Sequence, residues 1–393
     1  MSFGRSHLRH WPLDPSITYL NHSTVGVTPI RVLEAQRRIQ DEIERQPSRF
    51  LLRELSGLSV GPRDHQRSRI RAAAREVAAF VGARGEDVAL VDNTTTGANA
   101  VFLSTDLAEG DEVVVTDLGY GGVVRAASYH ARRRGARLRV AEIPYPEVTP
   151  EAVLEAVDAA IGPRCRLVVV DHVASLTSLV LPVTAIAERC RRKGVPLLVD
   201  GAHAPGAVAL DIPALGADYY AANLHKWAFA PRPSGFLWAA PARQAGLHPP
   251  VISWGLDEGY LVEFDWMSTR DPSALLAAPE GIRFLRDLGV DAVRDYNHTL
   301  ALDAARHLAS VWDVEYRIPT SMTATMVTIP LPRSLGSTPD DAIAIRDRLL
   351  YEEKIEVQIH EQRGRLWARI AAQIYNEMAD VERLADAVLV KRA

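Results

Sequence analysis

Six short apolar runs, at residues 88–91, 113–115, 138–143, 166–170, 196–199 and 235–239, are separated mostly by stretches with helical character. Strand–helix alternation of this kind restricts the chain to an α/β architecture, a mostly parallel sheet covered by helices on both faces. Runs such as Leu167-Val168-Val169-Val170 show no alternation of polarity, as strands buried on both sides require. A further short strand, Asp218 to Ala222, gives a sheet of seven-stranded type. Upstream, Thr28-Pro29 reads as a helix start, with Thr as the cap and Pro at the first helical position. The amphipathic run Val32 to Ile43 follows, and a second helix is expected from roughly Asp64 to Val81.

The rhythm changes near Ser253-Trp254-Gly255. Helical patterns at about 274–288 and 291–312 precede a strand (323–331), a helix (340–354), two strands (355–360 and 365–371) and a last helix (377–390). That order describes a smaller α+β domain. The expected organisation is an N-terminal segment (1–27), a large domain (28–275) and a small C-terminal domain (276–393), consistent with 393 residues. A net charge of −4 gives no reason to expect nucleic acid or an anionic membrane as partner. No signal-peptide core or membrane-length apolar run occurs, and Cys165 and Cys190 lack metal-type spacing. The expectation is a cytoplasmic protein with two reduced thiols.

The chemistry concentrates between Leu197 and Gly235. Asp200 ends one buried strand, and Lys226 follows the next one within His225-Lys226-Trp227. A carboxylate and a lysine then stand at the ends of neighbouring strands, where an open α/β sheet places its ligand crevice. This pairing suits pyridoxal phosphate (PLP): lysine forms a Schiff base with the aldehyde, and a carboxylate holds the ring nitrogen protonated. An apolar, aromatic setting (Trp227, Phe229) favours the nucleophilic amine over the ammonium. Asp92-Asn93-Thr94-Thr95-Thr96-Gly97 follows a strand and opens a helix, whose unpaired N–H groups and positive dipole end suit a phosphate. Asp171-His172 ends another buried strand in the same crevice.

Asp200-Gly201-Ala202-His203-Ala204-Pro205-Gly206 and His225-Lys226-Trp227 resemble the class V aminotransferase superfamily of fold type I PLP enzymes, and within it the isopenicillin N epimerase-like group. The resemblance runs from Tyr19-Leu20-Asn21 to the helix after Tyr375. It implies that Lys226 carries the Schiff base and that Asp200 meets the ring nitrogen. Thr95, Thr96 and His225 form the phosphate cup, His203 lies near the phenolic oxygen or phosphate, Asp171 lies beside the cofactor, and Tyr120 stacks on the ring. It also implies that Arg369 grips a substrate α-carboxylate, although Arg365 faces the same side of that strand. Asn21, His22, Ser23 and His360 would line the substrate side. Thr269 resembles the residue lent to the phosphate of a neighbouring subunit, which implies a homodimer.

These features predict a PLP enzyme acting on a cysteine-derived or bulky α-amino acid, with Lys226 removing the Cα proton. C–S cleavage and epimerisation stand side by side, followed by decarboxylation or deamination of an S-conjugated cysteine, plausibly in specialised metabolism. His22, Ser23, Tyr120 and His360 are the candidate opposite-face acids an epimerase would need. A persulfide-forming desulfurase is not expected, because neither cysteine sits on a mobile loop. Arg232-Pro233 stiffens and recharges a loop close to the site. A metal-dependent hydrolase built on Asp171, His172, Asp200, His203 and His225, and a non-catalytic binding protein, are the rival classes.

Overall fold

The computed structural model describes residues 3–56 and 67–390. Its centre is a seven-stranded sheet. From edge to edge the strands are Val88–Val91, Gly235–Ala239, Tyr219–Asn223, Leu197–Asp200, Cys165–Asp171, Glu112–Thr116 and Arg137–Ala141. Only Gly235–Ala239 runs against its neighbours; the other pairings are parallel. The inner strands Gly235–Ala239, Leu197–Asp200 and Cys165–Asp171 are buried apart from Arg166 near the start of the last, which explains their unalternating apolar sequences. Burying each Val or Leu contributes roughly 1.5–3 kcal/mol, so this sheet is the rigid frame on which the site rests.

Helices cover both faces. On one side Thr94–Ser104 and Gly121–Arg133 enclose Ala98, Val101, Val123 and Ala127 against the sheet. On the other lie Arg69–Phe80, Pro150–Ala160 and Val183–Arg192. Gly97 lets the first of these helices sit close, since a Cβ there would stand 3.0 Å from that of Ala221. Helix Arg69–Phe80 is capped by Ser68, whose side chain accepts from the Arg71 N–H. The expected stretch before residue 67 lies outside the described residues. Helix Ile30–Arg45 begins one residue later than Thr28-Pro29 implies: Pro29 occupies the cap position. The Thr28 hydroxyl instead donates to the Ala230 carbonyl at 3.3 Å, a tertiary contact that displaces local capping.

A second sheet, Gln358–Gln362, Arg365–Ile370 and Val327–Pro330, is antiparallel and packs helices Val290–Val311, Pro339–Tyr351 and Met378–Leu389 on one face. The expected strand 355–360 is split: Ile355–Glu356 pairs with Thr18–Tyr19, and Gln358 starts the sheet proper. The chain continues from that pairing into an Asn21–Ala371 bridge. Residues 18–22 are thus built into the C-terminal half. Helix Ser273–Leu288, which the expected division at 275/276 crosses in its first turn, packs Leu275, Ala278 and Ile282 into the core of the large sheet. No helix among the described residues is long and apolar enough to cross a membrane.

Candidate active site

Parallel strands release their side chains at one end of the sheet, and here that end holds a cavity of about 580 Å³. Asp171 and Asp200 are register partners on adjacent strands, so two carboxylates stand side by side at its floor. The Asp200 Oδ1 accepts from the Ala202 N–H at 2.9 Å, whereas its Oδ2 is buried without a partner. The Asp171 Oδ1 accepts from the Tyr120 N–H at 3.3 Å. Burial pushes both carboxyls up, Asp200 to about 6; for Asp171 the neighbouring Asp200 charge adds to the rise.

Lys226 is 8% exposed and its Nζ lies 3.0 Å from His203 Nε2. Burial, followed by the Arg369 charge, lowers its ammonium from 10.5 to about 7, against the pull of Asp200 and Asp171. Burial thus favours the unprotonated amine, as a nucleophile or base requires. His203 is held neutral by burial first and by the Lys226 charge second. Its Nδ1 is unpartnered, which leaves a second polar atom for a ligand.

The wall opposite the carboxylates is the first turn of helix Thr94–Ser104. Asn93 caps it by accepting from the Thr96 N–H at 3.0 Å, and Asn223 Oδ1 accepts from the Thr94 N–H at 2.9 Å. Thr95, Thr96 and His225 line the cavity as expected. His225 turns Nδ1 to the Ser234 carbonyl at 2.9 Å, which fixes its ring, and burial lowers it to about 4. Tyr120 stands at the mouth, 46% exposed, at the start of helix Gly121–Arg133.

Arg369, not Arg365, adjoins the site, held by two residues of the cavity lining, Ser175 and Thr24. Its guanidinium donates to the Ser175 carbonyl (2.7 Å), to Asn21 Oδ1 (3.2 Å) and to Thr24 Oγ1 (2.5 Å). All these acceptors are neutral, no ion pair to it occurs among the described residues, and its Nε is unpartnered. Burial lowers it to about 10, so this is a caged cation suited to an incoming carboxylate. Arg365 instead stacks over Trp367 at 5.6 Å.

Of the expected residues, Asn21 and Arg369 reach the cavity only through the lining residues Thr24 and Ser175, while His22, Ser23, Thr269 and His360 stay out of its lining. His22 is fully buried and spends both ring nitrogens, Nδ1 on the Tyr375 hydroxyl (2.9 Å) and Nε2 on the Lys226 carbonyl (3.0 Å). It braces the lysine's backbone from behind. His360 lies opposite Trp367 on the second sheet, buried, with neither ring nitrogen partnered, outside the cavity lining. Thr269 is exposed on the turn after Ser268. Four useful residues escaped the sequence reading: Asn93, Asn223, Thr24 and Ser175. Asn93 alone carried a local signal, as an Asn directly before a helix. The metal-hydrolase alternative fails on geometry, since His172 turns to the Tyr220 hydroxyl (2.8 Å) and His225 to Ser234. Among the described residues no three His, Cys, Asp or Glu side chains converge as a metal site.

The model of the class V aminotransferase family matches residues 59–384. The chain belongs to that family. It is 30% identical over 407 residues to an L-cysteine desulfhydrase of Arabidopsis thaliana, covering 95% of this chain and 87% of that one. It is 33% identical over 396 residues to the isopenicillin N epimerase of Amycolatopsis lactamdurans, covering 96% and 95%. Among solved structures, the cysteine desulfurase of Thermococcus onnurineus NA1 superposes with a TM-score of 0.78 at 21% identity, covering 98% and 97%. A variant of the lyase C-DES with glycine linked to its PLP cofactor gives 0.76 at 21% identity, covering 95% and 96%. These two share the fold.

The protein is a PLP-dependent enzyme. Its residues fit the cofactor: Lys226 would hold the aldehyde, the orphaned Asp200 Oδ2 the ring nitrogen, and the helix start at Thr95-Thr96 with His225 the phosphate. When bound, pyridoxal phosphate supplies an electron sink for the bond broken at Cα. The chain's own part would be to orient the amino acid through Arg369 and to move a proton at Cα through Lys226.

Proposed function

We propose that this enzyme cleaves the C–S bond of a cysteine-derived α-amino acid by β-elimination. The reading rests on one observation: a single buried amine, lowered to about 7, lines a cavity whose wall residues Ser175 and Thr24 hold the Arg369 guanidinium. Elimination needs only one such base. Lys226 takes the Cα proton, the Cβ–S bond breaks, and the leaving sulfur takes up a proton. Water then completes the balance, giving thiol, pyruvate and ammonia. Epimerisation requires a second proton donor on the far face. Of the expected candidates His22 is spent on Tyr375 and Lys226, Ser23 and His360 stand outside the lining, and Tyr120 alone lines the cavity.

The two cysteines argue for release of sulfur to solvent rather than storage on the protein. Both are buried and free, and burial pushes their thiols up, Cys190 to about 12. We extend the proposal to a homodimer, for which the exposed Thr269 would be the contribution to a second copy's phosphate site. The test is incubation of the PLP-loaded protein with S-substituted cysteines in heavy water. Released thiol with equimolar pyruvate supports elimination. Deuterium at Cα of a recovered, configurationally scrambled amino acid would sink it in favour of epimerisation, with Tyr120 the residue to replace next.

A further inference from the structure

Two guanidinium groups stand at the cavity, Arg232 in its lining and Arg369 behind the lining residues Ser175 and Thr24, and both are held by residues 21–26. Arg369 holds the side chains of Asn21 and Thr24. Arg232, which lines the cavity with Pro233 at the side of Lys226, donates from Nη1 to the Gly26 carbonyl (2.5 Å) and the Val25 carbonyl (3.3 Å). The segment cannot drift. Gly26 has φ 70, and a Cβ there would stand 1.7 Å from the His225 carbonyl oxygen, so the backbone lies flat on the lysine's own loop. His22, in the same segment, is pinned to Tyr375 and Lys226.

Both cations are therefore tied to one short segment, Arg369 buried within the fold and Arg232 exposed at the edge of the cavity. Arg232 makes no ion pair among the described residues, and only Nη1 is spent on neutral carbonyls. Its Nε and Nη2 remain for a ligand. Its charge is felt across the site: it opposes protonation of His22 and His225 and, together with Arg369, favours ionisation of Tyr19. A neutral S-substituent would gain nothing from this group, whereas an anion would be attracted and held by a fork of donors.

Resting on the reading above, we infer that Arg232 is a specificity-determining residue for the second anionic group of a dianionic substrate. The substrate class is a cysteine S-conjugate whose sulfur substituent ends in a carboxylate or sulfonate. Arg369 takes the α-carboxylate and Arg232 the distal charge, with the Cα–Cβ–S unit between them beside Lys226.

The experiment compares S-carboxymethylcysteine with its neutral amide, S-carbamoylmethylcysteine, on the PLP-loaded enzyme. Binding is read from the change in cofactor absorbance, and Cα exchange in heavy water is read by NMR. The expected result is a preference of tenfold or more for the carboxylate in the wild type. It falls to about one in Arg232→Gln, is partly kept in Arg232→Lys, and weakens with added salt. Equal binding of the two compounds by the wild type, or a preference that survives in Arg232→Gln, overturns the inference. So does a loss of cofactor affinity in Arg232→Gln that lowers both compounds alike, which would place the arginine on the phosphate instead. Intact charge preference in Cα exchange without thiol release would leave the Arg232 subsite standing and sink only the C–S cleavage.

Discussion

Replacing Lys226 with Met should abolish turnover and yet make the cofactor-free protein more stable at neutral pH. The ammonium is lowered from 10.5 to about 7 by burial. The unfolded chain therefore holds the proton up to about pH 10.5, while the folded site gives it up near 7. Between those values the unfolded state binds more protons, so stability rises with pH across that window, and the cost is fully present below it. At about 1.36 kcal/mol per unit, the penalty is on the order of 4 kcal/mol at pH 7 and on the order of 1 kcal/mol at pH 9.5. Met fills similar space without the charge. Asp200, deprived of the ammonium, takes a proton and offsets on the order of 1 kcal/mol. With an unfolding entropy of about 2 cal/mol/K per residue, the net gain corresponds to roughly 3–5 °C at pH 7. Calorimetry of cofactor-free wild type and Lys226→Met at pH 7 and 9.5 measures it. A variant that melts no higher at pH 7, or a gap that does not shrink at pH 9.5, refutes the reasoning.

Other substitutions probe the remaining parts of the site. Arg369→Gln removes the caged cation and should cost on the order of 10²–10³-fold in kcat/KM, about 3–4 kcal/mol, measured by steady-state kinetics with any accepted amino acid. The same change relieves the second cause of the lowered Lys226 ammonium, so the pH dependence of amine labelling in the cofactor-free variant should move upward. Asp200→Asn should keep the cofactor bound through Lys226, visible in its absorbance, while turnover drops at least about a hundredfold because the ring nitrogen loses its charged partner. Gly26→Ala cannot keep its backbone, with a Cβ 1.7 Å from the His225 oxygen, and should lower the melting temperature by several degrees and impair turnover together.

Much of this site was legible because parallel strands impose it. Once Asp171 and Asp200 are read as strand ends, and Lys226 as the residue after the next strand, their convergence follows from topology alone. The sheet itself was equally plain, because buried strands leave unbroken apolar runs. What could not be read is where side chains spend their polar atoms. His22 looks like a ligand residue in sequence, yet its ring is consumed by Tyr375 and by the Lys226 backbone, partners 353 and 204 residues away. Thr28 has the signature of a helix cap, but Ala230 claims its hydroxyl. The choice between Arg365 and Arg369 was open because both face the same side of a strand. Only the third dimension shows Trp367 beneath one and Ser175, Asn21 and Thr24 around the other.

The joining of residues 18–22 to residues 355–375 bears on the birth of the molecule as well as on its working form. The lysine, both carboxylates and the threonine cup are all translated by residue 226, and the large sheet is complete at residue 239. Asn21 and Thr24 nonetheless wait for Arg369, and His22 waits for Tyr375, until nearly the whole polypeptide has left the ribosome. A nascent chain can thus own a cofactor pocket long before it owns a grip on any amino acid. The contacts around Arg369 and Tyr375 are thus the last part of the site to be synthesised.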